Sequence, residues 1–184
     1  MKVHTLDLNF RKTPHTIAAY LVVGSRGTVL VDTGPASTLD TLKARLSEHG
    51  FEADDIRNVF LTHIHLDHAG GAGWWAQQGA QIYVHPNGAR HLIDPSRLLT
   101  SAQRIYGDKM DILWGQTLPA PQDRVTTVKD GEELTVDGLK ITAIDTPGHA
   151  YHHHTFRINH AGFTGDASGI KVPGIPFLML PSPP

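Results

Sequence analysis

The apolar positions change period several times along the chain, and each change predicts an element. Over "TIAAYLVVGSRGTVLVDTG" two apolar, β-branched runs flank "GSRG", whose glycines suit a tight turn, so the stretch predicts a hairpin. From Pro35 to Gly50 the period becomes helical: Leu39, Leu42 and Leu46 recur at i, i+3 and i+7, Ser37 can cap and Gly50 can end the helix. "NVFLT" then predicts a short strand, residues 73–78 a short helix, and "QIYVHP" a further strand. Strand and helix alternating in this way predict an α/β architecture.

Residues 95–115 predict helix or helix-rich loop, with Leu98, Ile105, Tyr106, Met110, Leu113 and Trp114 supplying apolar surface. Strands resume with "DRVTTV", "EELTVDG" and "LKITAIDTPG", where "VDGL" carries the Asp-Gly signature of a hairpin turn. "HHTFRINHAGFTGD" predicts another hairpin turning near Asn159 to Gly162. Residues 170–184 read as an irregular tail, because four prolines among the final nine residues prevent continuous helix or ladder bonding.

Composition narrows the picture. A chain of 184 residues with 40% hydrophobic content suits one domain spanning residues 1–184. A formal charge of −2, with no run of Lys or Arg, argues against nucleic acid as a partner. The first residues lack the apolar stretch of a secretory signal and no apolar run is long enough to cross a bilayer, so a cytoplasmic protein without a membrane partner is expected. Without cysteine there are neither disulfides nor thiolate ligands, and any metal must be held by His, Asp or Glu.

Thirteen histidines are the unusual feature, and three of them fall in "FLTHIHLDHAGG". In an extended segment alternate side chains share a face, so His63 and His65 can converge on one ion, while a turn offers Asp67 and His68 to a different point. Imidazole and carboxylate suit zinc, and also manganese or iron. Two divalent ions a few ångströms apart lower the pKa of a bridging water from about 15.7 toward 7, making hydroxide available as a nucleophile at neutral pH. Asp67, with two carboxylate oxygens, is the candidate catalytic residue that binds metal and orients the water or takes its proton.

"THIHLDH" resembles the THxHxDH signature of the metallo-β-lactamase-fold hydrolases. "VLVDTG", "DTPGH" and "FTGD" resemble further motifs of that family, in the family's order, and together they cover most of the chain. The resemblance implies an αββα sandwich with a metal site at one edge of its two sheets. It implies that His63, His65 and His149 hold a first divalent ion, and that Asp67, His68 and a bridging Asp166 hold a second. Asp32, in "DTG", is expected to support the metal loop, although an Asx-type turn explains it too. His153 is similarly expected to support a ligand, being the last histidine of a PGHxxGH-like pattern. His152 and His154 read as surface or strand positions, and His85 and His91 as structural, neither having a second ligand at useful spacing. Tyr106, Met110 and Trp114 are candidates to line a substrate pocket, core packing being the competing reading.

The binuclear members of the family supply another histidine downstream of the bridging aspartate, whereas Ala167 to Pro184 contains none. A C-terminally incomplete sandwich is therefore expected, with "IPFLML" packing on a second copy in a homo-oligomer. The leading expectation is a hydrolase that uses a metal-bound hydroxide on a small-molecule ester, lactone or thioester, resembling hydroxyacylglutathione hydrolase. A competing one is a mononuclear iron site of His63, His149 and Asp166, resembling the persulfide dioxygenases. A third is a catalytically incomplete fragment that binds metal.

Overall fold

The computed structural model describes residues 1–169 and Pro176, so the expectations for the tail and for "IPFLML" lie outside the described residues, Pro176 apart. One sheet orders its strands as β1 (Lys2–Asp7), β2 (Ala18–Val23), β3 (Thr28–Val31), β4 (Asn58–Phe60), β5 (Gln81–Val84) and β6 (Val125–Thr127). The first three pair antiparallel and β3 to β6 pair in parallel. A second, wholly antiparallel sheet runs β10 (Ala161–Phe163), β9 (His154–Ile158), β8 (Leu139–Asp145), β7 (Glu133–Val136).

The two faces of the first sheet belong to different cores. Leu30, Val59, Ile82 and Val84 point toward α1 (Leu39–Glu48), α3 (Ala72–Gln77) and α4 (Pro86–Ile93), packing with Leu42, Leu46, Trp75 and Leu92. Val29, Val31 and Phe60 point the other way, onto Leu139, Ile141, Phe156 and Ile158 of the second sheet. Burial on both faces is why these strands read as continuous apolar runs. Phe60 stacks on Tyr83 at 4.3 Å and meets the edge of Phe156 at 5.3 Å, joining the sheets through aromatic contacts. The outer face of the second sheet carries Glu133, Lys140 and Arg157, the first two ion-paired at 3.0 Å. The described residues thus supply three layers of the expected αββα sandwich.

Local chemistry explains most of the junctions. Asp137 and Gly138 both adopt positive φ (51° and 79°), the left-handed pair that a two-residue hairpin between β7 and β8 requires. β1, the short helix α2 (Leu66–Ala69) and α4 went unanticipated. The last of these begins on Pro86 at its first turn, with the His85 side chain accepting the Asn87 N–H, so residues that look like breakers start the helix. The expected cap at Ser37 is corrected: its hydroxyl donates to the Leu113 carbonyl at 2.6 Å, and α1 starts after Thr38 without a side-chain cap. Residues 95–115 resolve into α5 (Ser96–Tyr106) and α6 (Met110–Trp114). Among the described residues no helix is long and apolar enough to cross a membrane.

Close approach fixes one position strongly. A Cβ on Gly73, in α3, would lie 1.8 Å from the Leu118 carbonyl oxygen, which is backbone and cannot swing aside. Gly73→Ala is expected to destabilise the protein by about 3 kcal/mol through overpacking, against its usual helix-favouring effect. Urea unfolding of the two proteins measures it.

Candidate metal centre

Asp32 and the six candidate metal ligands stand just past the ends of strands. Asp32 follows β3, Thr62 to His68 follow β4 and run into the short helix α2 (Leu66–Ala69), Thr146 to His149 follow β8, and Asp166 follows β10. The sheets thereby gather side chains that lie more than a hundred residues apart in sequence.

Asp32 organises the group from behind. It is buried, with positive φ (58°), and a buried carboxylate is tolerable only when its oxygens are satisfied. Oδ1 accepts the Thr62 backbone N–H at 2.8 Å, and Oδ2 accepts the Thr62 hydroxyl at 2.9 Å and faces His68 Nδ1 at 2.8 Å. Because the Thr62 hydroxyl donates to Asp32, it accepts from Nδ1–H of His63 at 3.1 Å. Both imidazoles therefore carry their proton on Nδ1 or share it there with Asp32, and each turns Nε2 toward the site. Nε2 of His63 is fully buried and has no hydrogen-bond partner among the described residues, the condition of a lone pair prepared for a cation.

The other ligating atoms surround it. Ligand atoms of His63, His65 and His149 lie within 4.8 Å of one another, and so do those of His63, Asp67 and His68. His149 Nε2 is 2.8 Å from His65 Nδ1 and 3.5 Å from Asp166 Oδ2. His68 Nε2 is 3.2 Å from Asp166 Oδ1 and 3.7 Å from Asp67 Oδ2. Two ligands at about 2.05 Å on a tetrahedral ion stand about 3.3 Å apart, so these spacings fit a divalent cation. Asp166 reaches toward both halves of the group.

The protonation pattern follows from burial and charge. Burial, then the neighbouring histidines, push the His63 pKa well below its usual value, keeping the ring neutral. Burial, then His149, lower His65. For His68 burial works in the same direction but is outweighed by Asp32, Asp166 and Asp67, which raise it well above the usual imidazole value. To ligate a cation, His68 would have to give up a proton. Asp166 is lowered: burial opposes this, and the hydrogen bond and charge of His68 prevail.

His153 is no ligand to this centre. Its Nε2 accepts the backbone N–H of Asp166 at 3.1 Å and its Nδ1 faces the Thr146 hydroxyl at 2.8 Å, so the ring fixes the loop that carries Asp166. Burial lowers its pKa to about 4, keeping it neutral in that role. The sequence-based expectations for Asp32 and His153 thus acquire specific contacts.

The expected substrate pocket needs correction. Tyr106, Met110 and Trp114 pack with Phe10, Leu66 and Ala102 in a satellite core, Trp114 stacking on Phe10 at 5.7 Å and meeting Tyr106 at 5.0 Å. Helical spacing puts them on the packed faces of α5 and α6. The cavity that reaches Asp67, His68 and Asp166, about 570 Å³, is lined instead by residues including His15, Thr16, Tyr20 and Phe163. Period-two alternation along β2 put Tyr20 opposite the buried Ala19 and Leu21, a signal that marks a face without saying what it faces.

Similarity to known proteins agrees with this geometry. The model of the metallo-beta-lactamase superfamily matches residues 13–178, and the chain belongs to that superfamily. It is 27% identical over 186 residues to the metallo-beta-lactamase fold-containing protein ST1585 of Sulfurisphaera tokodaii, a match covering 99% of this chain and 67% of the relative. It is 28% identical over 151 residues to the atrochrysone carboxyl ACP thioesterase of Aspergillus fumigatus, covering 80% of this chain and 28% of that protein. Among solved structures, the metallo-beta-lactamase family protein TTHA1429 of Thermus thermophilus superposes with a TM-score of 0.70 at 26% identity, over 89% of this chain and 58% of that one. The chain thus spans between about a quarter and two thirds of the length of these relatives.

Proposed function

We propose that this chain carries the metal centre of a hydrolase acting on an acyl ester, lactone or thioester of a small molecule. The observation that supports it most is the buried Nε2 of His63, without a hydrogen-bond partner among the described residues, amid the ligand atoms of His65, His149, Asp67 and His68. In this reading His63, His65 and His149 hold one divalent cation and Asp67, His68 and Asp166 the second, zinc being favoured and manganese or iron compatible with the same ligands. Bound there, the ions supply Lewis acidity and lower the pKa of water.

The remaining work belongs to the chain. Asp32 and Thr62 hold His63 and His68 in the ligating tautomer. His153 holds the Asp166 loop. Asp67, about a third exposed and facing the cavity, is placed to accept the proton of an attacking water. The cavity wall combines the aromatic rings of Tyr20 and Phe163 with the polar His15 and Thr16, suiting an acyl group with a polar end. The thioesterase named above favours thioesters within this class; a resemblance to hydroxyacylglutathione hydrolase would specify glutathione thioesters. A one-iron triad of His63, His149 and Asp166 would give no task to Asp67, to His68 or to the Asp32 contact that orients His68, and the hydrolase reading is preferred for that reason.

The test is a panel of aryl esters, acyl lactones and acyl thioesters, offered to protein loaded with zinc, manganese or iron. Hydrolysis that a chelator abolishes and added metal restores is the expected result. Rates equal to buffer for every substrate with every metal would overturn the proposal.

A further inference from the structure

A second group of ligating side chains lies outside the centre just described. The register pairs Asp145, the last residue of β8, directly with His154, the first of β9. Both share the strand face of Ala143 and Phe156, so both point into the layer between the sheets. His85, one residue past β5, keeps the alternation of Tyr83 and enters the same layer from the other sheet. Three distant segments thereby bring two imidazoles and one carboxylate together, with ligand atoms within 4.8 Å of one another. Sequence spacing had hidden this, and the reading of His85 as a residue without further ligands is corrected.

The details resemble the primary centre. His154 is wholly buried, and its Nδ1 lacks a hydrogen-bond partner among the described residues. Its Nε2 lies 2.7 Å from Asp145 Oδ1. His85 Nε2 is 3.5 Å from the same oxygen, and the two rings are 4.7 Å apart. These separations bracket the roughly 3.3 Å between neighbouring ligands of a tetrahedral ion. Burial, then His85, lower the His154 pKa, against the charge and hydrogen bond of Asp145 and the charge of Asp130. The Asp145 side chain is 37% exposed, which leaves a water-accessible side for a further ligand.

We propose that His85, Asp145 and His154 form a separate site for a divalent transition cation such as zinc, which ties the two sheets together at one end of their shared core. Two imidazoles and one carboxylate with an open position suit zinc and its neighbours, and poorly suit calcium or magnesium, which favour oxygen ligands. Binding has one structural cost. His85 Nδ1 accepts the Asn87 N–H at 3.0 Å, which places the ring proton on Nε2. Ligation through Nε2 moves that proton to Nδ1 and gives up the helix-capping bond. The alternative is a hydrogen-bonded tie in which the carboxylate receives the imidazole N–H groups and no ion enters.

The His85 proton separates the two. Full-length wild-type protein, Asp145→Asn and His85→Asn are stripped of metal, loaded with zinc and freed of excess, and the ions per chain are counted by elemental mass spectrometry. Asparagine at position 85 still caps a helix, so that variant keeps α4 while removing a ligand. The expected result is one ion fewer per chain in each variant than in wild type, with folding verified by circular dichroism. Long-range ¹H–¹⁵N spectra should show His85 passing from Nε2–H to Nδ1–H as zinc is added to wild type, and not in Asp145→Asn. Equal zinc content in all three proteins, or a His85 tautomer indifferent to zinc, would overturn the proposal. Neither readout depends on hydrolysis, so the outcome is separate from that of the proposed activity.

Discussion

Asp166→Ala is expected to reduce hydrolysis by the metal-loaded protein roughly 10²–10³-fold, the scale of losing one preorganised electrostatic group from an active centre. The reason is its position. Its two oxygens face His68 Nε2 and His149 Nε2 at 3.2 and 3.5 Å, so under the proposed two-ion reading its removal would take a ligand from both halves of the site and leave the cations less screened from each other. His153→Ala should produce a smaller loss of about 10–100-fold, because the ring acts only by holding the Asp166 backbone. The order of the two effects carries the argument. Steady-state kinetics with the best ester or thioester of the panel would measure both, and an Asp166→Ala variant with wild-type kcat would remove Asp166 from the mechanism.

The second large effect concerns acid. Chelated protein is expected to lose stability steeply between pH 6.5 and about 4. Burial lowers His153 and His152 from 6.5 to about 4, and lowers His63, His65 and His154 as well. The unfolded chain therefore binds protons in that window which the folded chain refuses, and stability, fully present above 6.5, falls with pH. Each unit of separation amounts to about 1.4 kcal/mol, so His153 alone contributes up to about 3 kcal/mol. His68 has the opposite sign: its raised folded pKa stabilises below 6.5 and the contribution is lost as pH rises through that higher value. One such group against five leaves the acid loss dominant. Melting of the chelated protein should drop by about 10 °C or more between pH 7 and pH 5. A melting temperature constant over that range would contradict the assigned burial of these rings.

What the sequence disclosed was whatever is local. "THIHLDH" announces its chemistry because a strand, a turn and a short helix display all four side chains within one continuous segment. The hairpins were legible for the same reason, since Asp137, Gly138 and Asn159 need only their own backbone angles to turn the chain. α4 was missed because Pro86, Asn87 and Gly88 suggest a break, while their position at a helix start turns the proline into an advantage. β1 was missed because its alternating "KVHTLD" buries little besides Leu6, as an edge strand does. Long-range partnerships outside the family's motifs left no trace. The Thr62 hydroxyl fixes the His63 tautomer only once β3 brings Asp32 beside the end of β4, and His85 meets Asp145 and His154 only once the two sheets have stacked. Tyr106, Met110 and Trp114 show the converse, for an apolar helical stripe looks alike whether it faces a substrate or another helix.

The central claim is that six side chains at the strand ends hold two divalent ions. The most direct measurement is metal content per chain, by elemental mass spectrometry, on Asp145→Asn protein purified without added metal, so that the cluster at His85 does not enter the count. Close to two equivalents of zinc, manganese or iron is the predicted result. A single equivalent of iron, or less than one of any metal, would contradict it.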